Sequence, residues 1–188
     1  MSIVDWLSQV TYSVCGVEAM EVDPSVALTT LDWMEQSALG VCVAQSWGGY
    51  YIMLGFHSLG LAMIVGALMV VDLRILGVAR GISAQALPKL VTLGWWGFWI
   101  NALSGVIIFF SEANKMFYDN TFRWKIVLIA VGMITTWWLS KTILNPGATR
   151  DAAVLDTGSA KAQAVFSLAL WIAVIIVGRM IAYLGAAY

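Results

Sequence analysis

Four long apolar stretches, at about 48–73, 88–111, 122–143 and 163–185, decide what this chain can become. Each supplies the ~20 residues that a helix rising 1.5 Å per residue needs to cross a hydrocarbon core. In lipid only helices and closed barrels satisfy every backbone N–H and C=O internally. Runs this long and uniformly apolar specify helices. The expected fold is all-α: an integral membrane four-helix bundle over 47–188, preceded by an extracytoplasmic or interfacial segment over 1–46 with amphipathic helices. Composition agrees, since 61% of the 188 residues are hydrophobic and 11% charged, more apolar surface than one water-soluble core can bury. A net charge of −1 gives no electrostatic footprint for nucleic acid, and no P-loop or dinucleotide-binding glycine pattern occurs.

Polar stretches place the connections. "RILGVARGISAQALPK" joins the first two spans, with Pro88 in the first turn of the second. "NPGATRDAAVLDTGSAK" separates the last two. Arg74, Arg80 and Lys89 flank the first connection and Lys141, Arg150 and Lys161 the last, whereas residues before 47 include six acids and no Lys or Arg. The positive-inside rule then puts both termini outside the cytoplasm. The middle connection would also be external, with Lys115, Arg123 and Lys125 against the trend.

Residues 30–46, behind Thr29 or Thr30 as cap, carry Leu31, Met34, Ala38, Val41 and Cys42 at helical spacing, which predicts a short helix along the outer surface. Residues 1–22 repeat the pattern through Ile3, Trp6, Leu7, Val10 and Val14. They lack the basic start and long apolar core of a signal peptide, so the segment is expected to be retained. Cys15 and Cys42, the two cysteines, are compatible with one disulfide or with two buried thiols.

Lipid tails give no hydrophobic drive for helix pairing, so close packing is sought where small residues recur. In the first span Ser58, Ala62 and Gly66 form such a stripe, and in the second Gly94, Gly97, Asn101 and Ser104 do. Polar groups at membrane depth are the candidate site. His57, the one histidine, lies roughly 13 Å below the outer end of its helix, level with Asn101, with Ser104 close by. Lys125, Arg179 and Tyr183 sit toward the outer ends of the third and fourth spans. An ionisable side chain facing lipid there costs at least ~2.5 kcal/mol, so these groups are expected to converge inside the bundle. Structural readings stand beside this: a hydrogen-bonded neutral imidazole, a bridging Asn101, and snorkelling Arg179 and Lys125. Asp72 and Arg74, at the cytoplasmic end of the first span, are expected to form a surface ion pair or to snorkel.

The string "HSLGLAMIVGALMVVDLRILG", preceded by "LDWMEQSALGVCVAQSWGGYY" and followed by "FRWKI" and "SLALWIAVIIVGRMIAY", resembles DUF6644, a family of small bacterial four-helix membrane proteins of unknown function, over residues 30–185. That resemblance implies a bacterial inner-membrane location and no activity. More distantly the plan is similar to the CopD and cytochrome b561 bundles, in which histidines on neighbouring helices hold haem b. With one histidine, a haem here would need His57 with a methionine, with an open position, or shared across an oligomer interface.

The function expected is therefore a redox membrane subunit binding haem b or a quinone in the outer half of the bundle. His57 would be axial metal ligand or quinone partner, with Asn101, Ser104, Lys125, Arg179 and Tyr183 as further cofactor-binding residues. A periplasmic redox partner and a homo-oligomer or larger membrane complex would accompany that role. The alternative is a non-catalytic accessory subunit without cofactor, and below it a small transporter or proton channel.

Overall fold

A computed structural model describes residues 9–10, 13, 15–16, 29–142 and 156–184, with the side chains of 142 and 182–184 outside the description. The expected helix over 1–22 and the Asn-Pro-Gly loop at 145–147 therefore lie largely or wholly outside the described residues. Those described form α1 (Thr30–Gln36), α2 (Ala38–Gln45), α3 (Gly49–Ile75), a 3-10 turn (Ala84–Ala86), α4 (Leu87–Ser111), α5 (Ala113–Tyr118), α6 (Asn120–Thr142) and α7 (Gly158–Leu184). No strand occurs among them. Four of these helices, α3, α4, α6 and α7, are long and apolar enough to cross a membrane, at the four places the sequence marks. The chain is an all-α, multi-pass membrane protein.

Two compact units divide the chain: residues 1–59 with 99–118, and residues 60–98 with 119–188. In the first, Thr29 caps α1, its hydroxyl accepting from Asp32 N while the Asp32 carboxylate accepts from Thr29 N. That reciprocal pair satisfies two of the N–H groups that every helix start leaves over. The single helix expected over 30–46 is instead two. Ser37 adopts an extended conformation (φ −63°, ψ 152°), ending α1 and capping α2 through its hydroxyl, which accepts from Gly40 N. A serine offers the backbone that alternative to helix. Gly40 lets α2 lie against α4: a Cβ there would stand 2.7 Å from the Phe110 carbonyl oxygen. Asn114 of α5 donates its side-chain amide to Asp32 and Glu35, and its backbone N–H to Glu35, tying α5 to α1. Cys15 and Cys42 are joined by a disulfide, Cα atoms 5.5 Å apart.

The second unit holds the four-helix core. Ile64, Leu68, Val71 and Ile75 of α3 meet Leu87 and Val91 of α4, Met133 and Leu139 of α6, and Ala164, Trp171 and Val174 of α7. Glycine sets two of the contacts. A Cβ on Gly97 would fall 2.8 Å from the Gly60 carbonyl oxygen, and one on Gly132 would fall 3.1 Å from the Trp171 ring. The small-residue stripe expected on α4 is buried throughout, at Gly94, Gly97, Asn101 and Ser104. The one expected on α3 is not: Ser58, Ala62 and Gly66 are exposed, and nothing lies within 4 Å of a Cβ on Gly66. α3 packs through the face of Gly60, Ile64, Ala67 and Val71 instead. Both faces of this helix are apolar, so small-residue spacing alone could not choose between them.

The expected surface pair of Asp72 and Arg74 is also overturned. Asp72 is buried, 1% exposed, and the Arg74 guanidinium donates through Nε to the Ile82 carbonyl at 2.6 Å. Arg74 reaches back across the Gly77 turn (φ +82°), completing carbonyl pairing there, and leaves Asp72 to the core.

Candidate functional site

Within the first unit, one turn of α3 meets one turn of α4 through a reciprocal pair. His57 donates from Nδ1 to the Asn101 carbonyl at 2.9 Å, and Asn101 Nδ2 donates to the His57 carbonyl at 2.7 Å. A carbonyl can only accept, so the contact requires a proton on Nδ1. Ser104 Oγ lies 3.4 Å from the same Nδ1. Its own proton goes to the Ile100 carbonyl at 2.6 Å, the usual back-bond of a serine inside a helix. Its lone pairs are thus available as a second acceptor for the imidazole N–H. Gly105 makes room for the ring, since a Cβ there would stand 3.0 Å from His57 Cε1.

Beside this pair runs an open groove of about 230 Å³ lined by Met53, Phe56, Ile100, Leu103, Ser104 and Ile107. Ser104 alone among those six side chains has a polar hydroxyl. Phe56 and Leu103 are exposed at its rim, as befits a groove that meets lipid.

His57, Asn101 and Ser104 are therefore brought together as expected. Lys125 and Arg179 belong to the second unit. There the Lys125 stem runs over Gly178 of α7, with its Cε 3.7 Å from a Cβ built at that glycine, and the neighbouring Arg179 is exposed, a snorkelling position. The side chain of Tyr183 lies outside the described residues. Sequence reasoning missed Gly105, which only its place one turn from Asn101 could have signalled. It also missed the groove's apolar wall, because Met, Phe, Ile and Leu carry no signal in a span made of them. Buried Asp72 was misjudged through its position near a helix end.

Haem can be tested against this geometry. Among the described residues no three His, Cys, Asp or Glu side chains cluster as metal ligands. Met53, the methionine of the groove, lies one turn from His57 on the same helix face, where the two cannot take opposite sides of one iron. Sites enclosing cofactor-sized ligands span roughly 300–1,000 Å³, above the 230 Å³ found here. At that size the groove is too small to enclose a tetrapyrrole.

Among known proteins, the model of a family of unknown function, DUF6644, matches residues 30–184. No curated protein and no solved structure matches, so the likeness to CopD and cytochrome b561 bundles finds no support.

Proposed function

As a member of DUF6644 the chain inherits no activity, and from its own geometry we propose that it is a bacterial inner-membrane subunit that binds the headgroup of a lipid-soluble quinone. The observation that carries this reading is the placement of Ser104. Its hydroxyl is the polar group of an apolar, lipid-facing groove, and the same oxygen lies 3.4 Å from the imidazole of His57. Convergent polar atoms at the back of an apolar recess are what a small-molecule site needs for orientation. A quinone supplies reversible electron and proton carriage in the bilayer. Met53, Phe56, Ile100, Leu103 and Ile107 would hold the ring by dispersion, and Ser104 would turn its hydroxyl from the Ile100 carbonyl toward a ring oxygen. His57, its Nδ1 proton held by the Asn101 carbonyl, would keep a proton next to that hydroxyl and exclude water from it.

Orientation follows from two features. The basic residues beside the α3–α4 connection favour the cytoplasmic side for that end. The Cys15–Cys42 disulfide suits an oxidising compartment, which supports a periplasmic side for α1 and α2. The groove then lies in the outer half of the membrane, where a periplasmic electron-transfer partner or a larger complex could reach it.

Organic extraction of the protein purified in mild detergent tests the reading. Co-purified quinone is expected, with binding of a short-chain quinone weakened at least ~10-fold by Ser104→Leu, which fills the groove. Absence of any quinone, together with no binding of the short-chain form by folded protein, would sink it and leave an accessory role.

A further inference from the structure

The core of the second unit holds a carboxyl that its packing does not explain. Asp72 of α3 is 1% exposed, and neither of its oxygens has a hydrogen-bond partner. Ser167 of α7, 4% exposed, approaches the carboxyl without closing a hydrogen bond to it. One turn along the same face, Trp171 is completely buried with its indole N–H likewise unpartnered. On α6, Gly132 receives the Trp171 ring.

An isolated carboxylate in an apolar interior is among the most expensive groups a fold can bury. Orphaned donors and acceptors in one core layer mark an ion or water that the protein atoms alone do not show. Here the orphans are a carboxyl acceptor, with the Ser167 hydroxyl near it, and an indole donor one helical turn from Ser167. Asp72 is the one buried acid among the described residues, and no group of three His, Cys, Asp or Glu side chains gathers there. A single negative charge balances a single positive one, and oxygen donors suit a hard ion.

We propose that Asp72, with the hydroxyl of Ser167, forms an internal site for a monovalent cation, held either as a proton on the carboxyl or as a sodium ion among these oxygens and bound water. A water bound with it would accept the Trp171 N–H. The site is separate from the His57 groove and stands whether or not a quinone binds there.

The test uses the full chain in detergent micelles. Replacing choline chloride by sodium chloride at fixed pH and ionic strength raises the melting temperature by on the order of 5–10 °C at a hundredfold excess over Kd if sodium is the occupant. If the occupant is a proton, sodium has no effect, and infrared spectra show the carbonyl stretch of a buried carboxylic acid. Asp72→Asn abolishes whichever signal is found. Ser167→Ala keeps the carboxyl and either raises the half-saturating sodium concentration about tenfold or shifts the carboxylic-acid band. Wild-type protein showing neither signal, or Asp72→Asn retaining it, overturns the proposal. Should Asp72→Asn fail to fold, Ser167→Ala leaving both readouts unmoved overturns it equally.

Discussion

Gly97→Ala, set against Gly66→Ala, asks which face of α3 carries the bundle. At Gly97 a new Cβ would stand 2.7 Å from Met63 Cβ and 2.8 Å from both Gly60 O and Ile64 N, where ordinary contact begins at 3.4 Å. Two of those three atoms are backbone and cannot swing aside, so α3 and α4 must part by about 0.6–0.7 Å, the contact distance less the approach. The seam beside it loosens as well, because Gly94 packs on Leu68, whose side chain would already be in contact, at 3.5 Å, with a Cβ built there. Overpacking of this kind costs about 1–3 kcal/mol, partly offset by the ~0.5–1 kcal/mol that alanine gains over glycine inside a helix. A net loss of about 1–2 kcal/mol corresponds to a fall in melting temperature of roughly 2–8 °C for a chain this long. Gly66→Ala meets nothing within 4 Å and keeps only the helix gain, so its melting temperature stays level or rises slightly. Thermal unfolding of both variants in the same detergent, followed by far-ultraviolet circular dichroism, makes the comparison. A stable Gly97→Ala, or a Gly66→Ala that melts lower than it, would refute the packing described here.

Other perturbations have equally definite outcomes. Asn101→Ala removes the donor to the His57 carbonyl and frees the imidazole from its fixed setting; a loss of about 0.5–2 kcal/mol is expected, read by the same melts, with weakened binding of a short-chain quinone. Gly105→Ala presses on the His57 ring, whose Cε1 lies 3.0 Å from the new methyl, and should alter quinone binding more than stability. Paired Cys15→Ser and Cys42→Ser substitutions open a loop of 27 residues, worth about 3.5 kcal/mol on chain-entropy grounds, and thiol alkylation of wild-type protein should succeed only after reduction. Asp32 is held below its ordinary carboxyl range by the Thr29 hydroxyl, then by the Asn114 amide and the Thr29 backbone N–H. A depressed folded value means its contribution is complete above the unfolded value of 3.8 and fades as pH falls below it. Amide-exchange protection of α1 should therefore hold from neutral pH down to about 4 and drop beneath it, a transition that Asp32→Asn removes.

The sequence announces its spans because lipid imposes a length and a polarity that nothing else in the chain satisfies. It announces a threonine cap at 29 or 30, and the buried α4 stripe, where the Asn101 amide shares the face of Gly94, Gly97 and Ser104. Where every face is apolar, periodicity goes silent: Ser58, Ala62 and Gly66 mimic a packing seam yet face outward, while Gly60, unremarked, is the point of closest approach. Ser37 was hidden for a different reason, since a serine within an amphipathic run reads as surface until its hydroxyl is seen to end one helix and start another. Asp72 shows the limit of reasoning by depth. A residue one turn from a helix end looks solvated along the axis, but its exposure depends on which neighbour covers that turn. The grouping of His57, Asn101 and Ser104 was legible from their shared level; the groove beside them was not, being made of residues indistinguishable from the rest of the membrane face.

The mutual grip of His57 and Asn101 works as a registration key. Each side chain is anchored on the other residue's own main chain, so sliding one helix past its neighbour by a single 1.5 Å step breaks both bonds together and offers no equivalent acceptor to catch them. Piston-like travel between these segments works against both bonds at once. A pivot about that rung, or a bending of the helices beyond it, leaves both bonds intact.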